Sequence, residues 1–272
     1  MGLRVTFVSG LRRSGKSAVI RTMLSELFTD PPHYVRVIPA QGDQHPPVFP
    51  SSSPRESGVA TSRWVEFSGS DVFEILPETM TAIQREDPDG SVVIEADSDP
   101  GLRCAYAYDH RVFVMPVPTR ISEVFRDPSQ AASELQNVLE DTAAFASEIF
   151  GLFSEGDTDD PLPSEDRAEL TGTTMRSFLY SPLGDELATR IQLKPDYHGM
   201  VESDVIIVNT GAGQAGPDSA ECIRRIGQLT ERVRTVGADP PVLFHCDPSD
   251  PRGSDCRLLL NALKPFCRKG KP

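Results

Sequence analysis

Long apolar runs are missing from this sequence: none approaches the roughly 18 to 20 residues of a membrane-spanning helix, so no bilayer span is expected. Basic charge is scarce as well. Against 40 Asp+Glu stand 27 Lys+Arg, a net charge of -13, which is the wrong sign for a surface that neutralises a phosphate backbone; nucleic acid is not an expected partner. Cysteine is thin and scattered. Cys104, Cys222, Cys246, Cys256 and Cys267 are odd in number and include no C-x-x-C pair, which argues against a disulfide framework or a zinc knuckle and fits a reducing cytoplasm. The first residues, Met1–Val8, lack the pattern of a secretion signal and run straight into a β-branched strand. What remains is ample for a core: 272 residues, 38% of them hydrophobic.

Strand-like and helix-like segments alternate. Apolar strands read at Leu3–Ser9, Tyr34–Pro39, Ser91–Ala96, Arg111–Val117, Asp204–Asn209 and Val242–Cys246, with an edge strand around Trp64. Helices read at Lys16–Phe28, Asp71–Arg85, Gln130–Phe150, about Thr174–Arg190, Ser219–Val236 and Asp255–Leu263. Near-continuous apolar strands separated by helices imply an α/β, three-layer fold with a mostly parallel central sheet. Residues 1–272 read as one domain. Residues 41–63, rich in Pro and Ser, read as a mobile loop, and about 120–200 as a helical insertion divided by an acidic linker at 153–168.

One motif carries chemistry. Gly10-Leu11-Arg12-Arg13-Ser14-Gly15-Lys16-Ser17 matches G-x-x-x-x-G-K-[ST] and joins the first strand to a helix that begins Lys16-Ser17-Ala18. There, backbone N–H groups and a helix N-terminus converge on a phosphate. Gly10, Arg12, Arg13, Ser14, Gly15, Lys16, Ser17 and Ala18 are therefore the expected nucleotide contacts, with Lys16 on the β- and γ-phosphates and Ser17 on Mg²⁺. The strand Val92-Val93-Ile94-Glu95 offers Glu95 as the metal- and water-organising carboxylate, with Asp97 or Asp99 as alternatives. Other polar groups carry less weight. Asp43 and His45 read as solvated loop residues, the pair His245-Cys246 as packing, and Trp64 as an edge-strand residue.

The succession of this loop, VVIEADSDP, SDVIIVNTG and PPVLFHCDPSDPRGSDCRLLLNAL resembles the metallochaperone branch of the SIMIBI class of P-loop NTPases. That branch includes the GTPases of urease and hydrogenase nickel insertion and the cobalamin-synthesis-related GTPases. The resemblance covers roughly residues 3–40, 90–118 and 203–265. It implies a P-loop NTPase fold, Glu95 as the acid at a strand end, and Asn209 as the base-contacting residue. The sequence also departs from the family. Thr210 and Ala212 stand where a base-reading Lys and Asp are found, so weak base discrimination is expected, and Pro31-Pro32-His33 is at best a remnant of the Cys-Pro-His nickel motif.

These readings converge on a Mg²⁺-dependent nucleoside triphosphatase binding ATP or GTP. Lys16 and Glu95 would be its catalytic residues, and Ser17, Glu95 and Asp97 its metal ligands. Its expected role is a slow nucleotide-gated switch or assembly factor in the cytoplasm, with a client protein on the 120–200 insertion. Two alternatives remain: a small-molecule kinase whose lid is the insertion, with Arg224, Arg225, Arg232 or Arg234 on phosphate, and a degenerate nucleotide-binding scaffold.

Overall fold

A computed structural model describes residues 2–38, 63–68, 72–97, 108–155, 171–175, 177–178, 181–212, 214–231, 242–250 and 252–267. The expected mobile loop at 41–63, apart from its last residue, lies outside these, as do Asp43, His45, Asp99, Cys104, Arg232, Arg234 and most of the acidic stretch at 153–168. Seven strands form one sheet: β1 (Arg4–Gly10), β2 (His33–Ile38), β3 (Arg63–Ser68), β4 (Ser91–Glu95), β5 (His110–Pro116), β6 (Val205–Asn209) and β7 (Val242–Cys246). Their order is β3-β2-β4-β1-β5-β6-β7, and every pairing is parallel. All their C-terminal ends therefore share one edge, where ligands gather in α/β sheets. Trp64 does fall in an edge strand, β3.

Helices among the described residues include α1 (Lys16–Glu26), α2 (Val72–Glu86), a short α3 (Ile121–Val124), α4 (Pro128–Glu155), α5 (Pro182–Gln192), α6 (Ser219–Thr230) and α7 (Ser254–Cys267), and residues 171–175 and 177–178 are helical as well. Several differ from the sequence expectation: α3 has no counterpart among the expected helices, and α7 runs to Cys267 where an end at Leu263 is expected. The helix expected from about Thr174 to Arg190 restarts as α5 at Pro182, which lacks the N–H that a continuing helix needs, while Ser181 Oγ accepts from Gly184 N at 3.2 Å as the cap. Helix α4 runs to Glu155, three residues into the expected acidic linker.

Strand alternation sorts the core into two faces. On one, Val8, Val93, Val112 and Ile207 pack with Val19, Ile20 and Met23 of α1 and Leu259, Leu260 and Leu263 of α7. On the other, Val5, Phe7, Val35, Val92 and Ile94 meet Leu76, Met80 and Ile83 of α2, while Phe113, Met115, Ile206 and Val208 meet Cys222 and Ile226 of α6. Each large side chain so buried contributes roughly 1.5–3 kcal/mol. Five of five residues in β6 are buried, which explains why its sequence reads as an unbroken apolar run.

The segment between β5 and β6 enters and leaves the sheet at one neck. Phe125 and Leu193 form an antiparallel bridge, flanked by Arg126 N donating to Gln192 O at 2.9 Å and Lys194 N to Val124 O at 2.9 Å. Beyond it, Arg190 of α5 pairs with Glu186 and Glu202, and Glu202 also meets Arg111 of β5 at 3.2 Å. Helix α4 shows no buried residue as far as Phe145, only a half-buried stripe through Leu135, Val138 and Leu139, and Phe145 is 63% exposed. Among the described residues, no helix is long and apolar enough to cross a membrane.

Candidate nucleotide site

The chain turns over the end of the neighbouring strand as it leaves β1, and two glycines allow it. Gly10 has φ 145°, and a Cβ there would lie 1.9 Å from Val114 O of β5; Leu11 N donates to that same oxygen at 3.2 Å. Gly15, at φ 89°, occupies the N-cap position of α1, a conformation that costs other residues. Between them Arg13 takes a left-handed φ of 61°, and Arg12 and Arg13 are exposed. Ser14 is fully buried, and its Oγ has no partner among the described residues. The loop thus delivers the first turn of α1, where Ala18 N donates to Gly15 O at 2.9 Å, to the C-terminal edge of the sheet's central strand.

Lys16, 6% exposed, folds back over this loop: its Nζ donates to Gly10 O at 3.1 Å, Leu11 O at 2.7 Å and Asp97 Oδ1 at 2.7 Å. Ser17 Oγ donates to Glu95 Oε1 at 2.8 Å. β4 pairs directly with β1, so Glu95 at its end arrives beside α1, where it is 4% exposed. The other oxygen, Oε2, accepts from the Tyr34 hydroxyl. Tyr34 belongs to β2, opposite Val93, and packs among the residues of the α1 face with no solvent exposure. Sequence reading missed it; a tyrosine in an apolar strand gives no sign of its partner until β2 is known to lie beside β4.

Asn209 closes the loop from the other side. At the end of β6 and 4% exposed, it donates from Nδ2 to Ser14 O at 2.9 Å and accepts from Gly211 N at 2.9 Å through Oδ1. Helix α1 is also tied to the turn after β7, where Thr22 Oγ1 donates to Pro248 O at 2.6 Å. The expected site residues Gly10, Arg12, Arg13, Ser14, Gly15, Lys16, Ser17, Ala18, Glu95, Asp97 and Asn209 therefore gather on one loop, the start of one helix and two strand ends.

Other polar groups do not converge. His245 is exposed and Cys246 buried, as alternation along an edge strand requires, so they do not face one ion. Burial pushes the Cys246 thiol up to about 12, which keeps it protonated. His33 starts β2, at the end of the strands opposite the loop, with Nε2 3.3 Å from Asp87 Oδ2. Of the arginines considered for a kinase, Arg224 pairs with Glu221 and Arg225 stacks 4.4 Å over the Phe125 ring. Among the described residues, no group of three or more His, Cys, Asp and Glu is placed to hold a metal ion.

Among the solved structures similar to this chain are a LAO/AO transport system kinase and HypB from Helicobacter pylori in complex with nickel. The kinase is 12% identical with a TM-score of 0.48, over 98% of this chain and 59% of that one. HypB is 10% identical with a TM-score of 0.42, over 100% of this chain and 92% of that one. The chain thus spans less than two thirds of the length of the first. No family model matches the sequence, and no curated protein matches it.

Proposed function

We propose that this chain binds a nucleoside triphosphate, ATP or GTP, with its phosphates against Gly10–Ser17, and hydrolyses it slowly as a switch or assembly factor. The observation that carries the reading is the convergence of Lys16, Ser17 and Glu95 at the first turn of α1, with Ser17 Oγ 2.8 Å from Glu95 Oε1. Backbone donors and one ammonium suit a chain of phosphates, and the unpartnered Oγ of Ser14 lies buried in the same loop. Ser17 and Glu95 present hard oxygen donors of the kind Mg²⁺ takes alongside substrate phosphates, and so fit that ion. When bound, Mg²⁺ neutralises charge developing on the phosphoryl oxygens.

The protein's own contribution is placement. Lys16 supplies positive charge to the β- and γ-phosphates, the loop fixes the phosphate chain, and Glu95 orients the attacking water. The same proposal includes a cytoplasmic setting, no membrane or nucleic-acid partner, and a client protein on segment 120–200, a surface supported by exposed Phe145.

Calorimetric titration with ATP and GTP, together with an assay of phosphate release, tests the reading. Lys16→Ala is expected to lower affinity at least tenfold, about 1.4 kcal/mol, with an unchanged circular dichroism spectrum. Glu95→Gln is expected to retain nucleotide and lose most hydrolysis. An unaltered affinity in folded Lys16→Ala would refute the site. A Glu95→Gln rate within about threefold of the parent, less than 1 kcal/mol of barrier, would make Glu95 a turn-capping acid. Transfer of the phosphoryl group to an acceptor other than water would mark a kinase instead.

A further inference from the structure

We infer that Asp97 is an internal competitor for the phosphate position on Lys16, so that a triphosphate gains Lys16 only by displacing this carboxylate. The inference rests on the nucleotide reading above and adds a control to it. An ammonium has three N–H donors, and in this structure Gly10 O, Leu11 O and Asp97 Oδ1 take all three, at 3.1, 2.7 and 2.7 Å. No donor is left over, and a phosphate oxygen reaches Lys16 by exchange.

Which acceptor yields follows from how each is held. The two carbonyls belong to the turn that Gly10 carries across Val114 and that Leu11 N anchors to Val114 O at 3.2 Å, so moving them unthreads the loop. Asp97 is a short side chain two residues beyond the end of β4, and that side chain is 31% exposed. Ala96, just before it, is pinned by its N–H on Val8 O at 3.1 Å, so the strand can stay in register while Asp97 swings away. Charge acts in the same direction. A polyphosphate arriving at Lys16 brings negative charge beside the Asp97 carboxylate, and like charges at such range in a partly buried site repel strongly. Asp97 therefore holds affinity down, and its departure from Lys16 registers that phosphate has bound.

The sequence expectation for Asp97, a metal ligand, has the opposite sign, which makes the test decisive. Wild-type protein, Asp97→Asn and Asp97→Ala are titrated with inorganic tripolyphosphate and with ATP and GTP, first in EDTA and then in Mg²⁺. The competitor predicts that Asp97→Asn binds tripolyphosphate about tenfold more tightly in EDTA, with Asp97→Ala at least as tight, and that both keep the advantage in Mg²⁺. Equal or weaker binding by both variants in EDTA overturns the inference, and a loss confined to Mg²⁺ overturns it in favour of metal ligation. Thermal melting establishes that each variant is folded, and either variant alone suffices if the other is not. If wild type binds nucleotide and the variants bind no better, the inference fails while the nucleotide reading stands. If no folded protein binds any polyphosphate, the nucleotide reading itself has failed.

Discussion

Tyr34 shows what one hydroxyl contributes to a strand end. Its ring fills the core on the α1 face, and its oxygen supplies Glu95 with a second donor besides Ser17. A hydrogen bond to a charged group is worth about 1.5–3 kcal/mol, much of it spent here in fixing the direction of the carboxylate. Tyr34→Phe keeps the ring and removes only that constraint. Turnover should fall about tenfold with nucleotide affinity changed less than twofold, measured by steady-state hydrolysis alongside calorimetry. A purely structural tyrosine predicts instead a lower melting temperature and unaltered turnover per folded molecule.

Among the elements, the Gly10–Ser17 loop is braced from both sides, by β5 through Val114 O and by β6 through Asn209. Asn209→Ala leaves Ser14 O and Gly211 N without their side-chain partner. It should cost about 2 kcal/mol of stability in urea unfolding, since an unmet buried group costs about 1–3 kcal/mol. The same variant should weaken ATP and GTP alike. A loss above tenfold for one nucleotide with the other unaffected would return Asn209 to reading the base.

Much of this level was legible in the sequence. The G-x-x-x-x-G-K-[ST] spacing located the loop because only that turn needs those glycines, and Ile94-Glu95 located the acid because an apolar run ending in a carboxylate marks the end of a buried strand. Tyr34 and the Lys16–Asp97 pair were not legible, since both depend on which strands become neighbours. The start of α5 at Pro182 was not legible from helical periodicity, which runs unbroken across a proline that stands most readily in a helix's first turn.

At the scale of the whole molecule, several buried groups hold their protons unusually tightly. Burial pushes the Cys246 and Cys267 thiols up to about 12, Cys222 to about 11 and the Tyr197 hydroxyl to about 12. Each folded value lies above the ordinary 9.0 or 10.0, so the unfolded chain gives up these protons first. The resulting stability is complete below about pH 8 and drains away as pH rises through 9 towards 12. Urea midpoints at pH 7, 8 and 10.5 should be level between the first two and clearly lower at the third. A midpoint unchanged at pH 10.5 would show that these groups ionise without unfolding.

The strand order also sets a sequence of events at the ribosome. β1 is made first yet lies in the middle of the sheet, and the half-sheet β3-β2-β4-β1 has all its strands once synthesis passes Glu95. Beyond β1, the strands β5, β6 and β7 lie along one side of the sheet in the order in which they are made. The second brace on the Gly10–Ser17 loop comes from Asn209, so a nascent chain carries the loop for some 190 residues before both of its braces exist. At about 5–20 residues per second this interval lasts on the order of ten seconds or more, and in its second half, after β5 and before β6 is made, the outer edge of β5 is a strand edge without its neighbour.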